Sequence, residues 1–201
     1  MLELFYKGGL LMYPLLLGSI LALTFGMERL YHFLKAGRKK EFIKDVMDFV
    51  EKGEFDNALK MSKNIPGPVA AVAVEAIMNR DKNRQEMEEA ISMKGSYELK
   101  RLNQNLHILE LIGRVAPLIG LLGTVLGMVE AFKKVASVKG VIEPSLLAGG
   151  IWEALITTVA GLCVAIPALV MHHFFEDRVK SIAFLMKHTG LELIILLEGK
   201  K

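Results

Sequence analysis

The feature that most constrains this chain is a run of 22 residues, Ala154 to Phe175, containing no Asp, Glu, Lys or Arg and ending at Glu176-Asp177-Arg178. A helix rises about 1.5 Å per residue and a bilayer's hydrocarbon core is roughly 30 Å thick, so about 20 apolar residues suffice to cross it. A second run, Gly8 to Met27, has no charge between Lys7 and Glu28. A third is shorter: Arg114 and Glu130 bracket 15 uncharged residues, Val115 to Val129. It extends outward through Leu111, Ile112 and Gly113 and on to Ala131 and Phe132, and charges at its ends can snorkel to the interface. The chain is therefore expected to be all-α, an integral membrane protein with three transmembrane helices. The 52 % hydrophobic content and mean hydropathy of +0.38 agree with that class.

The expected layout follows from these runs. It has a periplasmic segment at 1–8, a first span at 9–28 and a cytoplasmic helical region at 29–110. A second span at 111–132, a periplasmic loop at 133–148, a third span at 149–175 and a cytoplasmic C-terminal helix at 176–201 complete it. Orientation comes from flanking positive charge: Arg29, Lys35, Arg38, Lys39 and Lys40 follow the first run, and only Lys7 precedes it. The start holds one Lys against one Glu, and no small-x-small site follows the apolar run, so no signal-peptide cleavage is expected. The first span is read as a peripheral anchor.

Charge placement argues against nucleic-acid binding. The +3 net charge and pI near 8.9 are spread out: between Glu28 and Arg114 stand 16 Lys/Arg and 14 Asp/Glu, with no basic stripe. The single cysteine, Cys163, sits in an apolar run without metal-ligand neighbours and reads as a small buried apolar residue.

Helical periodicity continues outside the spans. Met87, Ile91, Leu99, Leu102, Leu106 and Leu109 recur at spacings of three or four, with Gly95 in the gap, and lead into span two. Val179, Ile182, Met186, Leu193 and Leu197 do the same after span three. Spans two and three are thus expected to be parts of two long helices. Shorter helices are expected at Asp45 to Val50, Glu54 to Met61 and Val69 to Met78, with Ile65-Pro66-Gly67-Pro68 as a breaker.

In span two, Ala116, Gly120, Thr124 and Gly127 fall at i, i+4, i+8 and i+11, and Gly123 forms GxxxG with Gly127. Small faces let helices approach closely in lipid. Thr124 either bonds back to its own helix or faces a hydrated path. Span three contains one carboxylate, Glu153, near its outer end, and an ionisable group at membrane depth is a functional candidate. A shallow carboxylate can equally reach water. Thr157 stands within about 40° of Glu153 on an ideal helix and Thr158 about 140° away. His172 and His173 read as interfacial. With no P-loop, HExxH, paired-Cys or GxSxG pattern, neither catalysis nor a cofactor is expected.

Two segments carry a resemblance. Ala-Pro-x-Ile-Gly-Leu-x-Gly-Thr-Val-x-Gly, at Ala116 to Gly127, resembles the second-helix motif of the ExbB/TolQ/MotA proton channel family. Gly-Ile-x-Glu-Ala-Leu-x-x-Thr-x-x-Gly-Leu-x-x-Ala-Ile-Pro-Ala, at Gly150 to Ala168, is similar to its third-helix motif. Glu51 to Leu59 is weakly similar to the family's first cytoplasmic helices, and the N-terminal helix matches in hydropathy alone.

The resemblance implies a bacterial inner-membrane subunit closest to ExbB and TolQ, assembled as a homo-oligomer, pentameric in the better-known members. Its pore is lined by the second and third helices. It further implies a single-span ExbD- or TolR-like partner with a membrane Asp, and a TonB- or TolA-like protein beyond it. Thr124, Glu153 and Thr158 fall on the family's pore positions; Thr157 does not. A flagellar-type stator subunit and a non-conducting membrane scaffold are the alternatives.

Overall fold

The computed structural model describes residues 8–36, 42–137 and 144–200. Among the described residues the chain is all-helical, in seven helices: α1 (Met12–Ala36), α2 (Phe42–Glu51), α3 (Phe55–Asn64), α4 (Pro68–Met78), α5 (Arg84–Asn103), α6 (Leu106–Ser137) and α7 (Pro144–Glu198). The expected N-terminal segment, apart from Gly8, and the middle of the expected loop, 138–143, lie outside the described residues. Helix also occupies 133–137 and 144–148, which were expected as loop.

Among the described residues, two helices are long and apolar enough to cross a membrane: α6, and α7 over Ala148–Glu198. Only 22 % and 28 % of their most apolar stretches is buried within the chain. The core helix of a water-soluble protein would be mostly buried, so these faces need lipid or another helix. In α1, 16 uncharged residues from Met12 precede Glu28-Arg29.

The chain divides into two compact units, residues 1–28 with 105–173, and residues 29–104 with 174–201. In the first, α6 and α7 lie antiparallel, and the part of α1 up to Glu28 packs on them through Leu15, buried with Ala116 and Ala165. A Cβ on Gly18 would stand 3.7 Å from Ile112 and 4.0 Å from Val164. That contact gives the first apolar run a packed inner face within the chain. Its small residues give it a packed face, whereas Leu16, Leu17, Ile20 and Leu23 stay exposed.

The second unit has a core of conventional size. Val46, Val50, Ala58, Ile77, Met87, Leu193 and Ile194 are fully or almost fully buried. Local sequence sets its helix ends. Gly53, at φ 77, ends α2, and its N–H bonds to the Val50 carbonyl at 3.0 Å, as a C-terminal glycine does. Gly67 precedes Pro68 at the first turn of α4, where proline's fixed φ suits a helix start. Asn83 caps α5, its side chain accepting from the Glu86 N–H at 2.8 Å. The α5 end is closed differently: buried Arg29 donates to the Arg101 and Leu102 carbonyls at 3.3 and 3.4 Å. At the opposite end Arg84 bonds Glu88 and Glu198, each at 2.9 Å. The Glu88 hydrogen bond first, then the Glu198 charge, hold its guanidinium above its ordinary pKa.

One expectation fails. The stripe from Met87 to Leu109 is not one helix leading into span two, because Gln104 (ψ 134) and Asn105 (φ 64) separate α5 from α6. Asparagine tolerates the left-handed region better than most residues, and its Nδ2 donates to the Glu28 carboxylate at 3.3 Å. The hydrophobic spacing continues across the break because both helices bury a face. The other long stripe holds: α7 runs unbroken for 55 residues, through Pro167.

Candidate functional site

The α6/α7 pair in the first unit is built on residues without bulk. A Cβ placed on Gly161 would lie 2.6 Å from the Ala116 carbonyl oxygen and 3.2 Å from the Gly120 Cα. One on Gly120 would meet the Thr157 carbonyl and the Thr158 Cα, each at 2.9 Å. Gly127 faces Ala154 and Gly150 faces Ala131, at 2.7 and 2.6 Å on the same construction, while Gly123 receives the Thr157 side chain. Contacts this short exclude any side chain, so the glycines set how closely the two backbones run. Close backbone approach supplies the dispersion contacts that hold helices together where lipid removes the hydrophobic drive.

Hydroxyls lie on this seam and beside it. Thr158, half-buried, donates across it to the Gly120 carbonyl at 3.0 Å. Thr157 is buried and donates back to the Ala154 carbonyl at 2.6 Å. Thr124, half-buried, donates to the Leu121 carbonyl at 2.7 Å. The back-bonded alternative for Thr124 is therefore the one present here. A hydroxyl that donates in this way still offers oxygen lone pairs, so each can accept from a passing donor while staying uncharged.

Glu153 stands apart from that seam. It is exposed in the single chain, about 100° around α7 from buried Ala154, and Thr158 lies about 40° to the other side. The structure brings Thr158 and Thr157 onto α6 and leaves Glu153 exposed beside the Thr157 edge of the seam. Along the helix, Glu153 and Thr158 differ by about 7.5 Å of rise, with Thr124 between the α6 residues that meet Ala154 and Thr157. Trp152, beside the carboxylate, is 58 % exposed, as suits an indole at a membrane interface.

The sequence reading of span two identified Ala116, Gly120, Gly123 and Gly127, and all four face α7 or the small core beside it. It missed the matching face on α7. Gly150, Ala154, Thr157 and Gly161 sit at i, i+4, i+7 and i+11, the same kind of signal as on α6. Both prolines lie within helices, Pro117 in α6 and Pro167 in α7. His172, interfacial in the sequence reading, is half-buried and has its Nδ1 3.2 Å from the Leu106 carbonyl, joining the middle of α7 to the first residue of α6. Cys163, expected to be buried, is exposed on α7, because α6 packs on the face that carries Gly161 and Ala165.

Two apolar helices packed through glycine and crossed by a threonine hydrogen bond define a helical membrane protein with a polar seam. Comparison with known proteins narrows that class. Residues 61–188 match the model of the MotA/TolQ/ExbB proton channel family. An ExbB homologue named as a biopolymer transport protein, from Methanothermobacter thermautotrophicus, is 31 % identical over 94 % of this chain and 69 % of its own length. A biopolymer transport protein of the ExbB-like group from Synechocystis is 30 % identical over 93 % of this chain and 91 % of its own. The Tol-Pal system protein TolQ of Pseudomonas aeruginosa is 39 % identical over 41 % of this chain and 36 % of its own. The chain belongs to the MotA/TolQ/ExbB proton channel family, on the ExbB/TolQ side, and is a membrane protein of that family.

Proposed function

We propose that this chain is an ExbB/TolQ-like subunit of an inner-membrane proton channel and motor. It couples the proton-motive force to mechanical work in envelope processes such as energised outer-membrane transport. Copies assemble as a homo-oligomer, a pentamer on the family pattern, with the N-terminus periplasmic, three spans, and the C-terminus cytoplasmic. The central pore receives a single-span ExbD- or TolR-like partner carrying a membrane Asp, and a TonB- or TolA-like protein takes up the motion.

The observation that carries this reading is the position of Thr124, Glu153 and Thr158 at or within the most apolar stretches of α6 and α7. Thr158 lies at the α6/α7 seam, Thr124 is half-buried on α6 next to Gly123, and Glu153 stands exposed about one and a half turns from Thr158. Within one chain the carboxylate is exposed about 140° around α7 from Thr158, whose hydroxyl is taken up across the seam, and on this reading the path joining them runs between copies. Glu153, beside Trp152, then serves as the periplasmic mouth and the hydroxyls as uncharged stepping points below it. Thr157, filling the space at Gly123, acts in packing first. Each proton crossing about 100 mV releases roughly 2.3 kcal/mol, enough to bias a bundle between two arrangements.

The test replaces Glu153 by Ala and Thr124 and Thr158 each by Val, then measures proton flux with the partner subunit co-reconstituted. Flux is expected to fall at least about tenfold in the Glu153 variant, the effect of about 1.4 kcal/mol on a barrier. Wild-type flux in all three variants, with assembly intact, sinks the assignment and leaves a non-conducting scaffold.

A further inference from the structure

The second unit has an exposed apolar feature that its own fold does not use. On α7, Phe184 is 68 % exposed, Leu191 44 % and Ile195 62 %, and His188 between them is exposed too. Residues 184, 188, 191 and 195 are spaced by four, three and four, so they stand within about 60° of one another. Met186, Leu193 and Leu197, on the opposite side of the same helix, are buried in the unit's core. A surface helix needs one apolar face; this stretch has two. The spacing is that of the a and d positions of a heptad, with Phe184 and Leu191 at d and His188 and Ile195 at a.

The charges beside the stripe point to its occupant. With that assignment Lys187 falls at g and Glu192 at e, five residues apart. In parallel coiled helices the g residue of one chain faces the e residue five positions on in its neighbour, so identical parallel copies place Lys187 beside Glu192. Antiparallel copies lose that g-to-e pairing. Copies inserted in a membrane with one topology, related by an axis normal to it, necessarily run their helices parallel. Glu192 already takes the His188 Nδ1 of its own chain at 3.1 Å and keeps a second carboxylate oxygen for a lysine.

We infer that the stripe Phe184–His188–Leu191–Ile195 is a parallel contact between the α7 helices of neighbouring copies of this chain, in a register fixed by Lys187 against Glu192. This rests on the reading that copies assemble in one membrane. It adds a second contact, outside the spans, that sets the register of neighbours independently of the pore.

The test uses the full chain in its native membrane, on a Cys163→Ser background. Single cysteines replace Phe184, Leu191 or Ile195, with Arg178→Cys as an exposed comparison about 120° off the stripe; subunit number is measured in parallel by native mass spectrometry. Expected are disulfide-linked dimers at the three stripe positions, with yield at least about fivefold above that at 178. Lys187→Glu should lower that yield, and Lys187→Glu with Glu192→Lys should restore it. An intact oligomer with no cross-link above the 178 level at any of the three positions overturns this contact alone. So does a charge swap that fails to restore the yield. A wild-type chain that is monomeric overturns both the contact and the assembly reading beneath it.

Discussion

The two units of this chain solve the same packing problem with opposite materials. The unit formed by 29–104 and 174–201 buries large side chains, among them Ile77, Met87, Leu193 and Ile194. The unit formed by 1–28 and 105–173 keeps its Leu, Val and Phe mostly outside and joins its helices through Gly120, Gly123, Gly127 and Gly161. In water, burying a large apolar side chain is the main source of stability, about 1.5–3 kcal/mol each. In lipid that transfer yields almost nothing, and close contact between backbones takes its place. The inversion of exposed and buried residue types between the units is what lipid around the first and water around the second would favour.

Substitutions can break or sharpen that contrast. The largest effect is expected from Ile77→Ala in the second unit, a loss of about 2–5 kcal/mol with its cavity term, read by chemical denaturation of the detergent-solubilised protein. A loss under about 1 kcal/mol would mean that this core is not packed as described. Next comes Gly161→Ala in the first unit. Here adding one carbon should destabilise by about 1–3 kcal/mol, because the atom it meets, the Ala116 carbonyl oxygen, is backbone and cannot rotate away. Thermal unfolding in detergent measures it, and a neutral result would show that the helices separate at little cost.

A smaller change, about 0.6 kcal/mol, is expected for Thr158→Val, since interhelical hydrogen bonds in membranes are worth about that much on average. Thr158→Ser should retain it, so the pair isolates the bond to Gly120. The least effect belongs to Arg84→Ala on the surface of the second unit. Its pKa is raised by Glu88 and Glu198, so the guanidinium stays charged across the accessible range. Any stabilisation is present below its ordinary pKa and disappears only in strong alkali. Its loss should lie at the edge of detection in melts between pH 6 and 9, and should shrink with added salt.

Much of the candidate site was readable as a pattern of residue sizes. The small-residue face of α6 stands in the sequence at helical spacing, and the matching face of α7 could have been read by the same rule. Which hydroxyl does what was not readable. Thr157 and Thr158 are adjacent and chemically identical, and their roles differ only because α6 approaches from one side. That approach buries Thr157 against Gly123 and turns Thr158 toward the Gly120 carbonyl. The interruption at Gln104-Asn105 escaped for a similar reason. Hydrophobic spacing reports that a face is buried, and both helices bury one, so the stripe gave no sign that the chain turned between them.

By itself the sequence determined the class of protein. Charge-free runs dictate a helical membrane chain, since a backbone in lipid has to satisfy its own hydrogen bonds, and the ordered glycine, threonine and glutamate motifs dictate the family. Tertiary structure decided which polar groups meet, that Thr158 bridges the helices while Glu153 points away, and that the end of α7 carries a second apolar face. Those outcomes depend on the side from which one helix meets another, and a linear pattern of residues carries no record of that side.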